Sequence, residues 1–303
     1  MSALAAYQDR LQRDVPLAKY TAARLGGPAD WLYVARADAP PDELQAIMQA
    51  AWDDGLPVRV VGGGANILVA DAGFRGLIVI NRLSGITFMD GADECRLAVH
   101  SGTSLSVLAR QCALRGVAGM SWAVGVPGTI GGAVVNNAGA HGDDMSDSVV
   151  SVQVLESDAG LVTYSLSDMA YGYRTSSLKQ RHDRRFLVLG ADLHLPYADS
   201  AQIQAEMDAF NAYRKRTQPP GASLGSIFKN PPGDYAGRLI EISGLKGARI
   251  GGVQVSPVHA NFIVNVGDAT AADYYALIEQ VREIVVREQG VQLELEIELI
   301  GWT

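Results

Sequence analysis

The chain has 303 residues, 48% hydrophobic and 19% charged, the composition of a folded globular protein of roughly two domains rather than a disordered one. Lysine and arginine number 25 against 33 acids, so the net charge of −8 argues against a general nucleic-acid binder while permitting a local basic site for an anion. No run of about eighteen apolar residues offers a membrane span and no signal-peptide core opens the chain, so the expectation is a cytoplasmic protein without a membrane partner.

In chain order, a helical stretch over residues 3–13 leads to GGP at 26–28 and a strand over 31–35. Leu44, Ile47, Met48, Ala51 and Trp52 recur at helical spacing, and Gly55 with Pro57 ends that helix. A short buried strand over 58–61 runs into Gly62, Gly63 and Gly64, so this turn sits at a strand end, where nucleotides commonly bind. Strands follow over 76–81 and 96–100, a helix over 104–114, and strands over 149–155, 161–164 and 186–195. Residues 20–195 thus read as one mixed α/β unit. It lacks a strand-turn-helix GxGxxG with an acidic residue about twenty positions on, and is no ordinary Rossmann domain. A polar helix over 201–216 stops at Pro219, Pro220 and Gly221. Beyond it come a glycine-rich segment over 244–252, a strand over 261–266, an amphipathic helix over 271–288 and a final strand over 291–302. That strand alternates, with Leu293, Leu295, Ile297 and Leu299 on one face and Gln292, Glu294, Glu296 and Glu298 on the other.

The stretch VPGTIGGAVVNNAGA, residues 126–140, is poor material for a core. Its glycines suit a backbone cradle, because no side chain stands between the amides and a ligand. Successive N–H groups, with a short helix beginning near Thr129, would hold a phosphate. VVGGGANILVAD, residues 60–71, would supply another wall of the same pocket.

Three polar groupings could carry chemistry. In YGYRTSSLK, Arg174 offers a charged planar fork suited to carboxylate or phosphate, and a surface arginine in a turn is the equal alternative. In GSIFKNP, Gly225 lets a ligand approach the Ser226 hydroxyl while Lys229 and Asn230 suit phosphate or sugar. No GxSxG elbow or histidine partner makes Ser226 a nucleophile, so it is an acid or a plain turn serine. In the row Glu294, Glu296, Glu298, alternation alone does not select one residue over a solvated face. Glu241, Arg238 and Arg249 read as solvated. Cys95 and Cys112 fit neither a disulfide framework nor metal-ligand spacing, and the five histidines form no HExxH, so no metal is expected.

Assembled, TAARLGGPAD, VVGGGANILVAD, VPGTIGGAVVNNAGA, YGYRTS, GSIFKNP, LKGARIGG, HANFIVN and LELEIELIG resemble, in order, the UDP-N-acetylenolpyruvoylglucosamine reductase family from Thr21 to Gly301. The resemblance implies an α+β or mixed α/β fold. It consists of a two-part FAD-binding domain of the PCMH, vanillyl-alcohol-oxidase-like type (1–80 and 81–197) and a C-terminal α+β substrate-binding domain (198–303), with the last strand, 291–303, able to return to the first part. It implies non-covalent FAD held by Gly62, Gly63, Gly64, Ala65, Asn66, Pro127, Gly128, Thr129, Gly131, Gly132, Asn137, Ala138 and Gly139. The implied catalytic residues are Arg174, Ser226 as proton donor and Glu296, with Tyr173, Lys229 and Asn230 on the substrate.

The implied reaction belongs to peptidoglycan precursor synthesis and hence to cell wall biogenesis and division. Hydride would pass from NADPH through flavin N5 to the vinyl C3 of a UDP-sugar, and Ser226 would protonate C2; because a hydroxyl is a weak acid in water, Lys229 or a nearby network is expected to assist it. Arg174 as a cation and Glu296 in its protonated form would stabilise the enolate-like charge. A monomer acting on small molecules, with no nucleic-acid partner, is expected. The short passage from YRTSSLK to the strand at 186 matches the form lacking a tyrosine-bearing loop. Departures are Val258 for a common lysine, Leu224 for alanine and Leu295 for proline. The alternatives are another FAD oxidoreductase, with His141 as a possible covalent flavin link, and a non-catalytic nucleotide-binding module.

Overall fold

The computed structural model describes residues 2–302. They divide into two compact units whose chain segments interleave. The first holds the chain up to Gln12, Trp31–Gly63 and Gly76–Tyr213; the second holds Arg13–Asp30, Gly64–Arg75 and the chain from Arg214 on.

In the first unit, Val58–Val61 and Phe74–Asn81 pair in parallel, Val58 opposite Leu77 and Val61 opposite Ile80. Parallel pairing demands a crossover. Here it is the excursion over residues 62–73, which carries the GGGAN turn and from Gly64 on belongs to the second unit. The helix Pro41–Asp53 starts with Pro41 at its first position, followed by Asp42 and Glu43, which suit the helix dipole. It buries Leu44, Ile47, Met48, Ala51 and Trp52, the stripe expected from their spacing, against Tyr33, Val58, Leu77 and Val79. The expected first helix is instead a tighter 3-10 segment, Ala3–Arg10, with non-helical Tyr7 inside it. The Asp54 carboxylate accepts from the amides of Ala3 and Leu4 at 2.7 and 2.8 Å and fixes its start.

A second layer of this unit is a five-stranded antiparallel sheet, in the order Gly160–Ser165, Val149–Glu156, Phe186–Pro196, Glu94–His100, Ile86–Asp90. Its inward residues, among them Leu97, Val152 and Leu193, close on the helices Leu105–Leu114 and Ile130–Asn136 around a fully buried Trp122. Both cysteines are free and buried in this core, and burial pushes the Cys112 thiol up to about 12.

The second unit is built on an antiparallel sheet in the order Ala222–Ser226, Phe262–Asn265, Val253–Val255, Arg249–Ile250. The helix Ala271–Gln289 packs Tyr274, Leu277, Ile278, Val281 and Val285 into its core. Thr270 and Asp273 form a capping box at its start, and the Asp71 carboxylate accepts from Ala271 and Ala272 amides at 2.9 Å each. The expected long final strand is broken. Leu295 bridges Phe228, the chain bends at Glu296, and only Glu298–Ile300 is regular strand, parallel to Ile67–Val69. The cause is a change of partner, since one straight strand cannot serve both neighbours.

Candidate functional site

The two glycine loops of the first unit meet backbone to backbone. A Cβ on Gly62 would lie 2.1 Å from Thr129 Oγ1, and one on Gly63 would lie 3.2 Å from Gly128 Cα. Gly128 has φ +137, which only glycine adopts readily, and the space beside Gly132 is open. The helix Ile130–Asn136 does begin after Thr129, but its first two amides are engaged: Ile130 donates to Thr103 O at 2.9 Å and Gly131 to Ser101 O at 2.8 Å. Thus the glycine content anticipates the close approach, whereas those two N–H groups are not donors to an anion. The bare, partly open meeting of the loops fits the diphosphate portion of a dinucleotide such as FAD.

Asn137 ends the helix in the left-handed conformation, φ +45, and is buried. Its side chain is spent on the protein, donating to Asp144 Oδ2 and Gly172 O at 3.0 and 3.1 Å and accepting from the Ser146 amide at 3.0 Å. Its backbone oxygen and that of Gly139 in turn receive the Arg174 guanidinium, at 3.4 and 2.6 Å. Arg174 itself stands at φ +54 in a tight turn closed by paired Gly172 and Thr175 backbone bonds. A left-handed non-glycine residue costs about 1–2 kcal/mol, and such strain concentrates at functional positions. The half-exposed Tyr173 ring lies 5.1 Å from the Arg174 guanidinium carbon. Asp144 carried no signal in the sequence, because its role is to orient Asn137 rather than a ligand.

In the second unit, Ser226 ends a strand rather than occupying a turn. The ladder shifts between Ser223 and Ser226, where Gly225 stands at φ +74, and resumes with Ser226 opposite Phe262. Immediately afterward, residues 227–229 take residues 294–296 alongside: Lys229 donates its amide to Glu294 O at 2.9 Å and Glu296 its amide to Ile227 O at 2.8 Å. Ser226 and Glu296, far apart in sequence, therefore come within one backbone step of a shared hydrogen bond. Asn66 joins them, its side chain donating to Glu296 O at 3.2 Å and its carbonyl accepting from the Glu298 amide at 2.8 Å. Gly64 sits at φ +63 beside this loop, with a Cβ position only 2.0 Å from Tyr20 O.

The three glutamates are separated by the bend. Glu294 is mostly exposed and 3.6 Å from Lys229 Nζ, a pair worth little in solvent, whereas Glu296 is half-buried beside Asn66. Asn230 accepts the Ala236 amide at 3.1 Å and so caps the helix Ala236–Ile242. Glu241 pairs with Lys246 at 2.8 Å and Arg238 with Asp234, in keeping with solvated residues. His259 is half-buried, and burial, helped by nearby Lys246, holds its imidazole below the usual pKa. His141 stacks on Phe210 with ring centroids 3.9 Å apart, a packing contact. Val258 is exposed. Among the described residues, no group of three or more His, Cys, Asp or Glu could hold a metal, and no helix is long and apolar enough to cross a membrane.

The mixed α/β unit that carries the meeting glycine loops is of the flavin-binding class: the family model described as "FAD binding domain" matches residues 34–165. The model for "UDP-N-acetylenolpyruvoylglucosamine reductase, C-terminal domain" matches residues 216–300. The chain belongs to the UDP-N-acetylenolpyruvoylglucosamine reductase family. It is 41% identical over 292 residues to the reductase of Chloroflexus aggregans, covering 96% of this chain and 97% of the relative. It is 43% identical over 298 residues to that of Synechococcus sp. (strain WH7803), covering 96% and 94%. The crystal structure of the reductase (MurB) from Thermus caldophilus superposes with a TM-score of 0.80 at 35% identity, covering 96% of this chain and 99% of that one.

Proposed function

We propose that this protein reduces the enolpyruvyl group of UDP-N-acetylglucosamine enolpyruvate to the lactyl ether of UDP-N-acetylmuramate at the expense of NADPH, in the cytoplasm and as a monomer. The observation that carries the assignment is the Glu296 amide bound to Ile227 O at 2.8 Å, which brings the Glu296 backbone alongside the residue after Ser226, inside the segment matching the reductase C-terminal domain.

FAD, when bound, supplies the two-electron relay between NADPH and the enolpyruvyl double bond. Gly62 and Gly63, meeting Gly128, and the open Gly132 would hold it without intruding side chains. The vinyl carbon gains a hydride and the ether-bearing carbon a proton, so NADPH and one proton are consumed and NADP leaves. Ser226 holds the proton for the ether-bearing carbon. Arg174, directed by Asn137 and Gly139 carbonyls, and Glu296, fixed through its backbone, stabilise the negative charge that grows on the substrate carboxylate. Such preorganised groups act without rearranging during the reaction. Tyr173, Lys229 and Asn230 are assigned to the sugar nucleotide.

Ser226→Ala tests the assignment by separating the two halves of the reaction. Under anaerobic conditions the variant should be bleached by NADPH at the wild-type rate, while recolouring by the enolpyruvyl sugar nucleotide slows by about a hundredfold or more. Recolouring at the wild-type rate would remove Ser226 from the chemistry.

A further inference from the structure

We propose that Asn261 is a positioning residue that aligns Ser226 and Glu296 for proton delivery; the proposal rests on the roles assigned to those two residues above. Asn261 is buried, at 3% exposure, and spends its side-chain amide on the backbone of a single residue, Phe228. Its Nδ2 donates to Phe228 O at 2.8 Å and its Oδ1 accepts from the Phe228 amide at 3.0 Å. The Asn261 backbone oxygen accepts from the Ile227 amide at 2.9 Å.

These three bonds do what a strand would do. The ladder between Ala222–Ser226 and Phe262–Asn265 ends at the Ser226–Phe262 pair, because the neighbouring chain then turns, with the Phe262 amide bonded to His259 O at 3.0 Å. The Asn261 side chain extends the ladder past that end. Residues 227 and 228 are consequently gripped from both sides, by Asn261 on one and by Leu295 and Glu296 on the other. Ser226 immediately precedes the gripped pair, and Glu296 hangs on it through Ile227 O. A group that donates and accepts at fixed spacing is required; an amide provides both, and a carboxylate only accepts.

Asn261→Asp makes this testable in the holoenzyme. The ionised carboxylate still accepts from the Phe228 amide but opposes the Phe228 carbonyl, whereas the protonated acid restores a donor. Bleaching by NADPH should stay within about twofold of wild type, since it uses the flavin cradle. Recolouring by the enolpyruvyl sugar nucleotide should slow at least tenfold at neutral pH with the substrate concentration for half-maximal rate little changed, and should recover as pH falls. Wild-type protein measured over the same range accounts for His259, the titrating neighbour whose Nδ1 accepts the Asn261 amide at 3.2 Å. Asn261→Ser, whose single hydroxyl is too short to span the Phe228 amide and carbonyl together, should be slow in recolouring at every pH and serves if the Asp variant does not fold. Wild-type recolouring in either folded variant, or an equal loss in both halves of the reaction, would overturn the proposal. If Ser226→Ala recolours normally the assignment of Ser226 falls first; if Ser226→Ala is slow and the Asn261 variants are not, the positioning role alone falls.

Discussion

Gly62→Ala is the substitution whose consequence the geometry fixes most tightly. The new methyl would stand 2.1 Å from Thr129 Oγ1, 3.1 Å from its Cγ2 and 3.2 Å from its Cβ. Relief requires the hydroxyl or the whole loop to move by about 1 Å, and overpacking of that size costs about 1–3 kcal/mol. Under the proposed function these two loops form the FAD cradle, so their separation should weaken FAD binding by about 5- to 150-fold. Thr129 makes no side-chain capping bond at the helix start, so Thr129→Ala alone should change FAD affinity by less than about threefold. In the double variant the nearest side-chain atom is the residue 129 Cβ at 3.2 Å, and affinity should return to near the wild-type value. FAD titration of the apoprotein, followed by loss of flavin fluorescence, measures all four proteins, and urea unfolding of the apoproteins shows whether strain also reaches the fold. Additive losses in the double variant, or no loss in Gly62→Ala, would refute the idea that the loops meet as a cradle.

Replacing Arg174 by glycine removes a left-handed non-glycine residue, so stability should hold or rise by up to about 1 kcal/mol while turnover falls by more than a hundredfold; denaturation and steady-state rates on one preparation decide it. Asp71→Ala removes the acceptor of two helix-start amides and should cost about 1–2 kcal/mol in urea unfolding, without altering the rate of bleaching by NADPH. His259 is held below its ordinary pKa of 6.5, so as pH falls the unfolded chain takes up the proton first. Its contribution is fully present above that ordinary value and is lost as pH falls through the depressed native one; His259→Gln should flatten the acid-side decline in urea midpoint, and parallel profiles would contradict this.

Much of this molecule is visible in its residues where a pattern has a single partner. Val58–Val61 is found to the residue, and the stripe of Leu44, Ile47, Met48, Ala51 and Trp52 faces the core as its spacing predicts. Patterns fail where a segment changes partner. The alternation from Leu293 to Leu299 describes burial as far as Ile297, but the chain bends at Glu296 to leave residues 227–229 for Ile67–Val69. Gln12–Pro16 carries too many polar residues to stand out, Ile86–Asp90 is a short, largely exposed edge strand, and Ala222–Ser226 is masked by the glycine that makes its irregularity.

Within the site, glycine content is enough to anticipate two loops that touch. Arg174 at positive φ leaves no trace, since composition gives no reason for an arginine there. Asn261 is equally silent, because a buried side chain that imitates a strand has no periodicity to betray it. In the sequence only family resemblance singles out Glu296 among three glutamates; its place beside Asn66 and Ile227 supplies a physical distinction from exposed Glu294.

The most direct measurement is the flavin absorbance of the holoenzyme in an anaerobic cuvette, with NADPH added first and the enolpyruvyl sugar nucleotide second. Prompt bleaching is expected, then full recolouring with one UDP-N-acetylmuramate formed for each NADPH oxidised. A flavin that bleaches and stays colourless after the sugar nucleotide is added would contradict it.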